Sequence, residues 1–428
     1  MSTNSYIRKV LIIIIMCVFT SSAESSPVEG KSFNTAIELL TAFSGKSATE
    51  YEPHFLFHPD ARIVHVEIHA VATMSTTARY SGAYGAETQV NNILRIRTAD
   101  GFEAVSGVDT YYEKEFSDRH LMELQDVIED LLALQTLDPV EVGSLLAQSK
   151  PDLNDEVRSS IDIVLWDLAA RKAGRPLYEL LGAKRESMEP YASLPFYESL
   201  PEYIDAVNEY AKLGYKAFKF HVWGDFEKDS TMVELVQQTF ADSDFSFMID
   251  LEGAFALDDA LALGRKMDEG KFVWLEAPMD DTLLEQYSVL RRKLGQSILP
   301  AGYNIYSADF IRQGIEQHSW DAGRFDVTVI GGVSTALELM IIANEAGLPI
   351  EIQSWGHSLG QAANLHLMLA NERTSYFEAP MPAQAFEFGM KNAILLKQGR
   401  VFAPNGPGLG IEVDWENLDK ADFYVRSE

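Results

Sequence analysis

Three segments, AFKFH (217–221), FMIDLEG (247–253) and FVWLEAP (272–278), decide the fold. Each is a short apolar run that ends on Lys and His, on Asp and Glu, or on Glu. The pattern continues in ILPAGYN (298–304), GRFDVTVIGG (323–332), IEIQSW (350–355) and SYFEAP (375–380). From Lys219 through Asp250, Glu276, Tyr303, Asp326 and Gln353 to Glu378 the steps are 31, 26, 27, 23, 27 and 25 residues. That length holds one strand, one helix and two loops, and repeated βα units imply a parallel sheet. Closed into a (β/α) barrel, the sheet places the C-terminal ends of its strands around one mouth, where these side chains converge. An open doubly wound sheet is the competing layout. Carboxylates beside a Lys and a His suggest metal-assisted proton transfer.

The alternation occupies residues 188–385, with strand-like runs KAFKF, FSFMID, FVWLE, SILPA, DVTVI and PIEIQ between amphipathic patterns such as Tyr203–Leu213 and Ser334–Ala346. Residues 61–187 read differently. IVHVEIHAV (63–71) and NNILRIRTADG (91–101) alternate as strands, and helical patterns follow at Arg119–Leu134 and Glu156–Lys172. Asn154 is the candidate N-cap of the second helix, which Gly174 and Pro176 end. Strands followed by helices predict an α+β domain. Residues 386–428 contain no further βα unit and are expected to return to that domain. Residues 24–60 read as a leader with a short helical candidate (Phe33–Phe43).

At the N-terminus, Arg8 and Lys9 precede the apolar run Val10–Phe19 and the small-residue stretch TSSAESS, with Ser21-x-Ala23 as a cleavage site. That order predicts a signal peptide over 1–23 and a secreted or periplasmic protein; without cleavage, a cytoplasmic one. Ten apolar residues are too short for a membrane-spanning helix. The lone Cys17 permits no internal disulfide. Composition is 46% apolar and 23% charged, with a net charge of −29. Such acidity opposes nucleic-acid binding and does not exclude a small anionic substrate, because a small site can be locally positive.

The chain resembles the enolase superfamily, in its mandelate racemase and muconate-lactonizing branch, over roughly residues 62–420. The resemblance lies in SSIDIVLWDLAARKAGRPLYELLG (159–182), GYKAFKFH, FMIDLEG, WLEAPM, LPAGYN, FDVTVIGGVSTALE and GPGLGIEVDW. It implies an α/β fold, a modified TIM barrel under an α+β capping domain built from both chain ends. It also implies a homo-oligomer, bound Mg²⁺ and removal of a proton next to a substrate carboxylate. Asp250 and Glu276 match the family's first two metal carboxylates, whereas Tyr303 stands at the third. Lys219 and His221 occupy its Lys-x-Lys positions. Asp326 matches the Asp of an Asp–His dyad whose His is replaced by Gln353, and Glu378 matches the last-strand Glu.

Mg²⁺ prefers about six oxygen ligands, so Glu252, two residues after Asp250 and on the same side of a strand, is expected to join Asp250, Glu276 and Tyr303. Alternatively, Asp250 and Glu276 form an ion-pair ring with Lys219 and need no metal. His221 is the expected base, because its ordinary pKa lies near neutrality, with Lys219 facing the substrate carboxylate. Asp326, without a His partner, is left as an orienting group or weak base. Glu378 would bond a substrate oxygen or form an ion pair. Arg79, Tyr80 and Tyr84 in the loop TTARYSGAYGAET (76–88), together with Gln353 and His357, are expected at the substrate. The expected activity is dehydration or isomerisation of a hydroxylated carboxylate such as a sugar acid through a metal-stabilised enediolate. A barrel that only binds a small acid, or one using metal-independent acid–base chemistry, is the alternative.

Overall fold

Eight parallel strands form the barrel: Ser187–Ser193, Ala217–His221, Ser246–Asp250, Phe272–Glu276, Ser297–Leu299, Gly323–Phe325, Ile350–Ile352 and Tyr376–Pro380. This computed structural model describes residues 32–51, 61–72, 77–78, 87–88, 90–110, 114–268, 270–302, 307–418 and 423–427. The expected signal segment, Arg79, Tyr80, Tyr84 and Tyr303 lie outside the described residues. The first five strands pair in sequence order, the sixth pairs with the seventh, and the eighth returns to the first (Glu378 opposite Tyr191). Among the described residues, the two remaining junctions lack a backbone ladder and are joined by scattered bonds. Asp321 N–H donates to the Ile298 carbonyl (3.0 Å), and the Thr374 hydroxyl donates to the Ile350 carbonyl (2.7 Å). Closure between strands eight and one excludes the open sheet.

Side chains alternate across a strand, and here the two faces differ sharply. Phe218, Phe220, Phe247 and Phe272 face outward into the core shared with the surrounding helices. Tyr191, Ala217, Met248, Trp274, Leu299 and Ala322 form a separate apolar cluster inside the barrel. Two residues further along the same strands come Lys219, Asp250, Glu276 and Arg324, so an apolar floor lies beneath a charged layer. The outer helices follow from the same periodicity. Leu200–Lys212 starts with a Ser199–Glu202 capping box and buries Tyr203, Ala206, Val207 and Tyr210, spaced three or four apart.

Two sequence expectations need correction, for DVTVI and for the leader. DVTVI (326–330) is not a strand; the strand is Gly323–Phe325 and the chain turns after it. Asp326 drives the turn, since its Oδ1 accepts the Thr328 backbone N–H at 2.8 Å, which overrides the β-propensity of Val-Thr-Val. Ser187–Ser193 is a strand despite Pro190 and its polar composition, because the first barrel position is completed by neighbours on both sides. Ala36–Ser44, read as part of a leader, is a helix in the core. Its Ala36, Leu39 and Leu40 are buried, and the Ala36 N–H donates to the Asp138 carboxylate at 2.9 Å.

The capping sheet is antiparallel, in the order Phe423–Ser427, Ile63–Ala72, Val90–Thr98, Glu103–Thr110. The helix Asp155–Lys172 joins it to the barrel. Asn154 caps its start, and nearly every residue along it is buried, including Ser159, Ser160, Asp162 and Asp167. Several bonds cross the junction from this helix. Ser106 donates to the Ser160 carbonyl (2.7 Å), Gly331 N–H to Ser159 Oγ (2.9 Å) and Ser334 N–H to Asp162 Oδ1 (3.0 Å). Gly332 has φ 93°, and a Cβ there would lie 2.4 Å from Asp162 Oδ1, so only glycine permits this approach. The motif SSIDIVLWD therefore fixes the turn that follows Asp326.

Candidate active site

Lys219 sits at the centre of the charged layer. Its Nζ lies 2.8 Å from Glu378 Oε1, 3.2 Å from Glu276 Oε1 and 3.3 Å from Asp250 Oδ2. Arg324, fully buried, places Nε 2.8 Å from Glu276 Oε1 and Nη2 3.3 Å from Glu378 Oε2, and Nη2 also bonds the Tyr191 hydroxyl at 3.0 Å. The Nε contact is off the N–H axis, so it is an ion pair rather than a directed hydrogen bond. Burial opposes ionisation of Glu378, but Lys219 and Arg324 outweigh it and hold its pKa near about 2. Burial pushes Glu276 up to about 7, with Asp250 adding to the effect and Arg324 opposing it. Among the described residues, Glu276 Oε2 is buried without a hydrogen-bond partner.

His221 ends the second strand. Its Nδ1 is 2.6 Å from the Leu194 carbonyl; a carbonyl only accepts, so Nδ1 carries the hydrogen and Nε2 the lone pair. Nε2 stands 3.7 Å from Asp250 Oδ2 and 3.7 Å from Glu252 Oε1. Burial, then Lys219, push the imidazole down to about 4. It is therefore neutral at physiological pH, with the Nε2 lone pair unprotonated. Glu252 lies beyond the strand end and reaches His221 through a left-handed turn (φ 50°), not by strand alternation. Burial, then Asp250, raise its pKa.

Asp326 follows the sixth strand, four strands from Lys219 in an eight-strand ring. Thr328 N–H, Thr328 Oγ and Asn364 Nδ2 all donate to Oδ1 at 2.8 Å. Burial raises its carboxyl to about 7, only partly offset by these donors. Gln353 is buried with its Oε1 unpaired among the described residues. His357 is no ordinary loop residue: its backbone N–H donates to Asp109 Oδ2 at 2.6 Å, and its ring Nδ1 contacts Asp109 Oδ1. The structure thus groups Lys219, His221, Asp250, Glu252, Glu276 and Glu378, and sets Asp326 across from them.

Arg324 and Asp109 were not singled out from sequence. Arg324 had a signal, because it precedes Asp326 by two residues and shares its inward face. Asp109 had none, since its partner is 248 residues away.

The donors of the magnesium pair implied by the resemblance do not fit as arranged. Glu276 is held by both Lys219 and Arg324, so a dication bound at Glu276 would face two buried cations. Lys219 contacts both Asp250 and Glu276 in this arrangement. Among the described residues, no helix is long and apolar enough to cross a membrane.

A family model described as Enolase C-terminal domain-like matches residues 202–417. A second, described as Mandelate racemase / muconate lactonizing enzyme, N-terminal domain, matches residues 63–182. The chain is 24% identical to o-succinylbenzoate synthase of Listeria innocua over 87% of this chain and 97% of that protein. It is 27% identical to D-galactarolactone cycloisomerase of Agrobacterium fabrum over 64% and 76% of the two chains. With L-talarate/galactarate dehydratase of Salmonella typhimurium it shares 26% over 74% and 79%. A solved Pseudovibrio sp. structure described with the mandelate racemase/muconate lactonizing enzymes superposes with a TM-score of 0.82 at 31% identity, covering 86% of this chain and all of that one. The Salmonella dehydratase, liganded with Mg and L-lyxarohydroxamate, superposes at 0.76 and 22% identity, over 86% and 95% of the two chains. These matches, together with the closed barrel and its capping sheet, show that the chain belongs to the mandelate racemase and muconate lactonizing branch of the enolase superfamily.

Proposed function

We propose that this chain is a lyase or isomerase that removes the α-proton of a hydroxylated carboxylate, with dehydration as the favoured outcome. Asp326 is the proton acceptor in this reading. The supporting observation is its position at the C-terminal end of the sixth strand, opposite Lys219 and His221, with Oδ1 fixed by three donors. Burial holds its carboxyl near neutrality, where a general base works best. The α-proton passes to Asp326 and its electron pair enters the Cα–Cβ bond as the β C–O bond breaks. Asp326 returns the proton to the departing hydroxide, so water leaves and the enol becomes a 2-keto acid. Lys219 is not the partner of the substrate carboxylate here, because three protein carboxylates already share its charge.

The substrate class rests on relatives whose names include a galactarolactone cycloisomerase and a talarate/galactarate dehydratase. The test is proton NMR in D₂O with a panel of aldonic and aldaric acids. The wild type is expected to exchange or eliminate, and Asp326→Asn to lose both. Exchange by Asp326→Asn at the wild-type rate would remove Asp326 from the role. Saturable binding of an acid without exchange would favour the small-acid binder, a reading that the ion-paired carboxylates support.

A further inference from the structure

Among the described residues, the charges at the mouth do not balance on the side of the second and third strands. Asp250, Glu252, Glu276 and Glu378 face only Lys219 and Arg324 among the described residues. Two negative charges are in excess if all four carboxylates ionise. Arg324 lies against Glu276 and Glu378, and Lys219 is shared among Glu378, Glu276 and Asp250, so Glu252 and part of the Asp250 charge carry the excess.

Those two carboxylates and the His221 imidazole each bring one donor atom within 4.8 Å of the others. The His221 Nε2 distances to Asp250 Oδ2 and Glu252 Oε1 are both 3.7 Å. Donors about 2.0–2.2 Å from a common ion are separated by about 3–3.5 Å from one another. The two His221 separations exceed that spacing by only a few tenths of an ångström.

The surroundings hold each donor in place. Nδ1–H of His221 is tied to the Leu194 carbonyl at 2.6 Å, so the Nε2 lone pair is aimed at the carboxylates. A histidine that binds a metal commonly gives its other ring N–H to such a carbonyl, which fixes tautomer and ring orientation. The Tyr203 hydroxyl donates to the His221 carbonyl at 2.6 Å, and Glu252 N–H donates to Asp250 Oδ1 at 3.0 Å. Glu252 is turned into this position by a left-handed backbone that a glutamate rarely adopts.

We propose that His221 Nε2, Asp250 Oδ2 and Glu252 Oε1 form a three-ligand site for a divalent cation that accepts imidazole, Mn²⁺ or Zn²⁺, displaced from the Asp250–Glu276 pair that magnesium would use. Imidazole suits Zn²⁺ and its neighbours, while Mg²⁺ favours oxygen alone. The one-fifth exposure of Glu252 leaves a path from solvent. The site stands on its own geometry and not on the reaction assigned to Asp326. Binding is read without turnover, so failure of one is distinguishable from failure of the other.

The experiment is calorimetry on chelator-treated protein with Mn²⁺, Zn²⁺ and Mg²⁺, followed by pulsed electron paramagnetic resonance of the Mn²⁺-loaded wild type. One saturable site per chain is expected, at least about tenfold weaker for Mg²⁺. His221→Gln should weaken Mn²⁺ roughly 10–100-fold, while Glu276→Gln stays within about threefold of wild type. The resonance should show ¹⁴N coupling from the imidazole, a readout that needs no variant to fold. Bound Mn²⁺ without ¹⁴N coupling would overturn the proposal. So would the absence of saturable binding, or binding lost in Glu276→Gln and kept in His221→Gln.

Discussion

Arg324 Nε lies 2.8 Å from Glu276 Oε1, and neither side chain reaches solvent. The pair connects the fourth and sixth strands through the barrel interior, above the ring of Trp274, whose centroid is 5.9 Å from the guanidinium carbon. It also determines what Glu276 can do. A carboxylate matched by a guanidinium and an ammonium is a poor partner for a dication, so the cation-accepting face moves toward Asp250 and Glu252.

Arg324→Met should therefore destabilise the protein rather than relax it. Removing one partner of a buried ion pair leaves charge uncompensated and costs about 3–5 kcal/mol. Urea unfolding would show a lower midpoint, with Arg324→Lys recovering part of the loss through Glu276 and Glu378. An unchanged midpoint for Arg324→Met would mean that the pair carries no net stability.

Asp326 provides a pH test whose sign is fixed. Burial raises its carboxyl from 3.8 to about 7, so between those values the folded protein holds a proton that the unfolded chain has released. Stability contributed by that proton is lost as pH rises through the window. Asp326→Asn removes the ionisation and should gain stability over wild type above about pH 7, by at most roughly 4 kcal/mol. Activity runs the other way, because the acceptor must be ionised: kcat/KM should rise with pH to a plateau above about 7. Unfolding midpoints near pH 5 and 8, together with the rate profile, check both.

Asp109 and His357 tie the capping sheet to the loop after the seventh strand. Asp109→Ala leaves the buried His357 N–H without its acceptor and should cost about 1.5–3 kcal/mol. A double-mutant cycle with His357→Ala should show coupling of about 1 kcal/mol or more. Additive effects would mean that the two residues act independently.

Gly408→Ala should be among the most damaging single-methyl changes in the chain. Gly408 has φ 76°, and a Cβ there would stand 2.0 Å from Asp167 Oδ1. That carboxylate accepts the N–H groups of Val105 (2.8 Å) and Leu409 (2.7 Å) and pairs with Arg171 at 2.6 Å. Displacing it breaks a buried network that joins the capping sheet, its long helix and the C-terminal turn. A loss of about 2–4 kcal/mol is expected, measured by thermal unfolding; a shift of less than about 0.5 kcal/mol would show that the turn adapts.

The repeating fold was legible in sequence because its cause is local. Strand alternation and a βα step of 23–31 residues place Lys219, Asp250, Glu276 and Glu378 on one inward row wherever the barrel closes. The cap at Asn154 was legible for the same reason. DVTVI was misleading, since a side chain two residues from its target, Asp326 to Thr328, outweighs the β-propensity of the residues between. The state of each site residue was not written locally. Whether Glu276 meets a metal or Arg324 depends on strands 48 residues apart, and the pKa values of His221 and Asp326 depend on how deeply the closed barrel buries them. The hydrogen on His221 Nδ1 is fixed by Leu194, and His357 is held by an aspartate from the other domain. Sequence by itself determined that Lys219, Asp250, Glu276 and Glu378 share one inward row, because strand periodicity is an intrinsic property of the chain. Only the tertiary structure decided their partners and charges, because Coulomb energy and desolvation depend on distances through space.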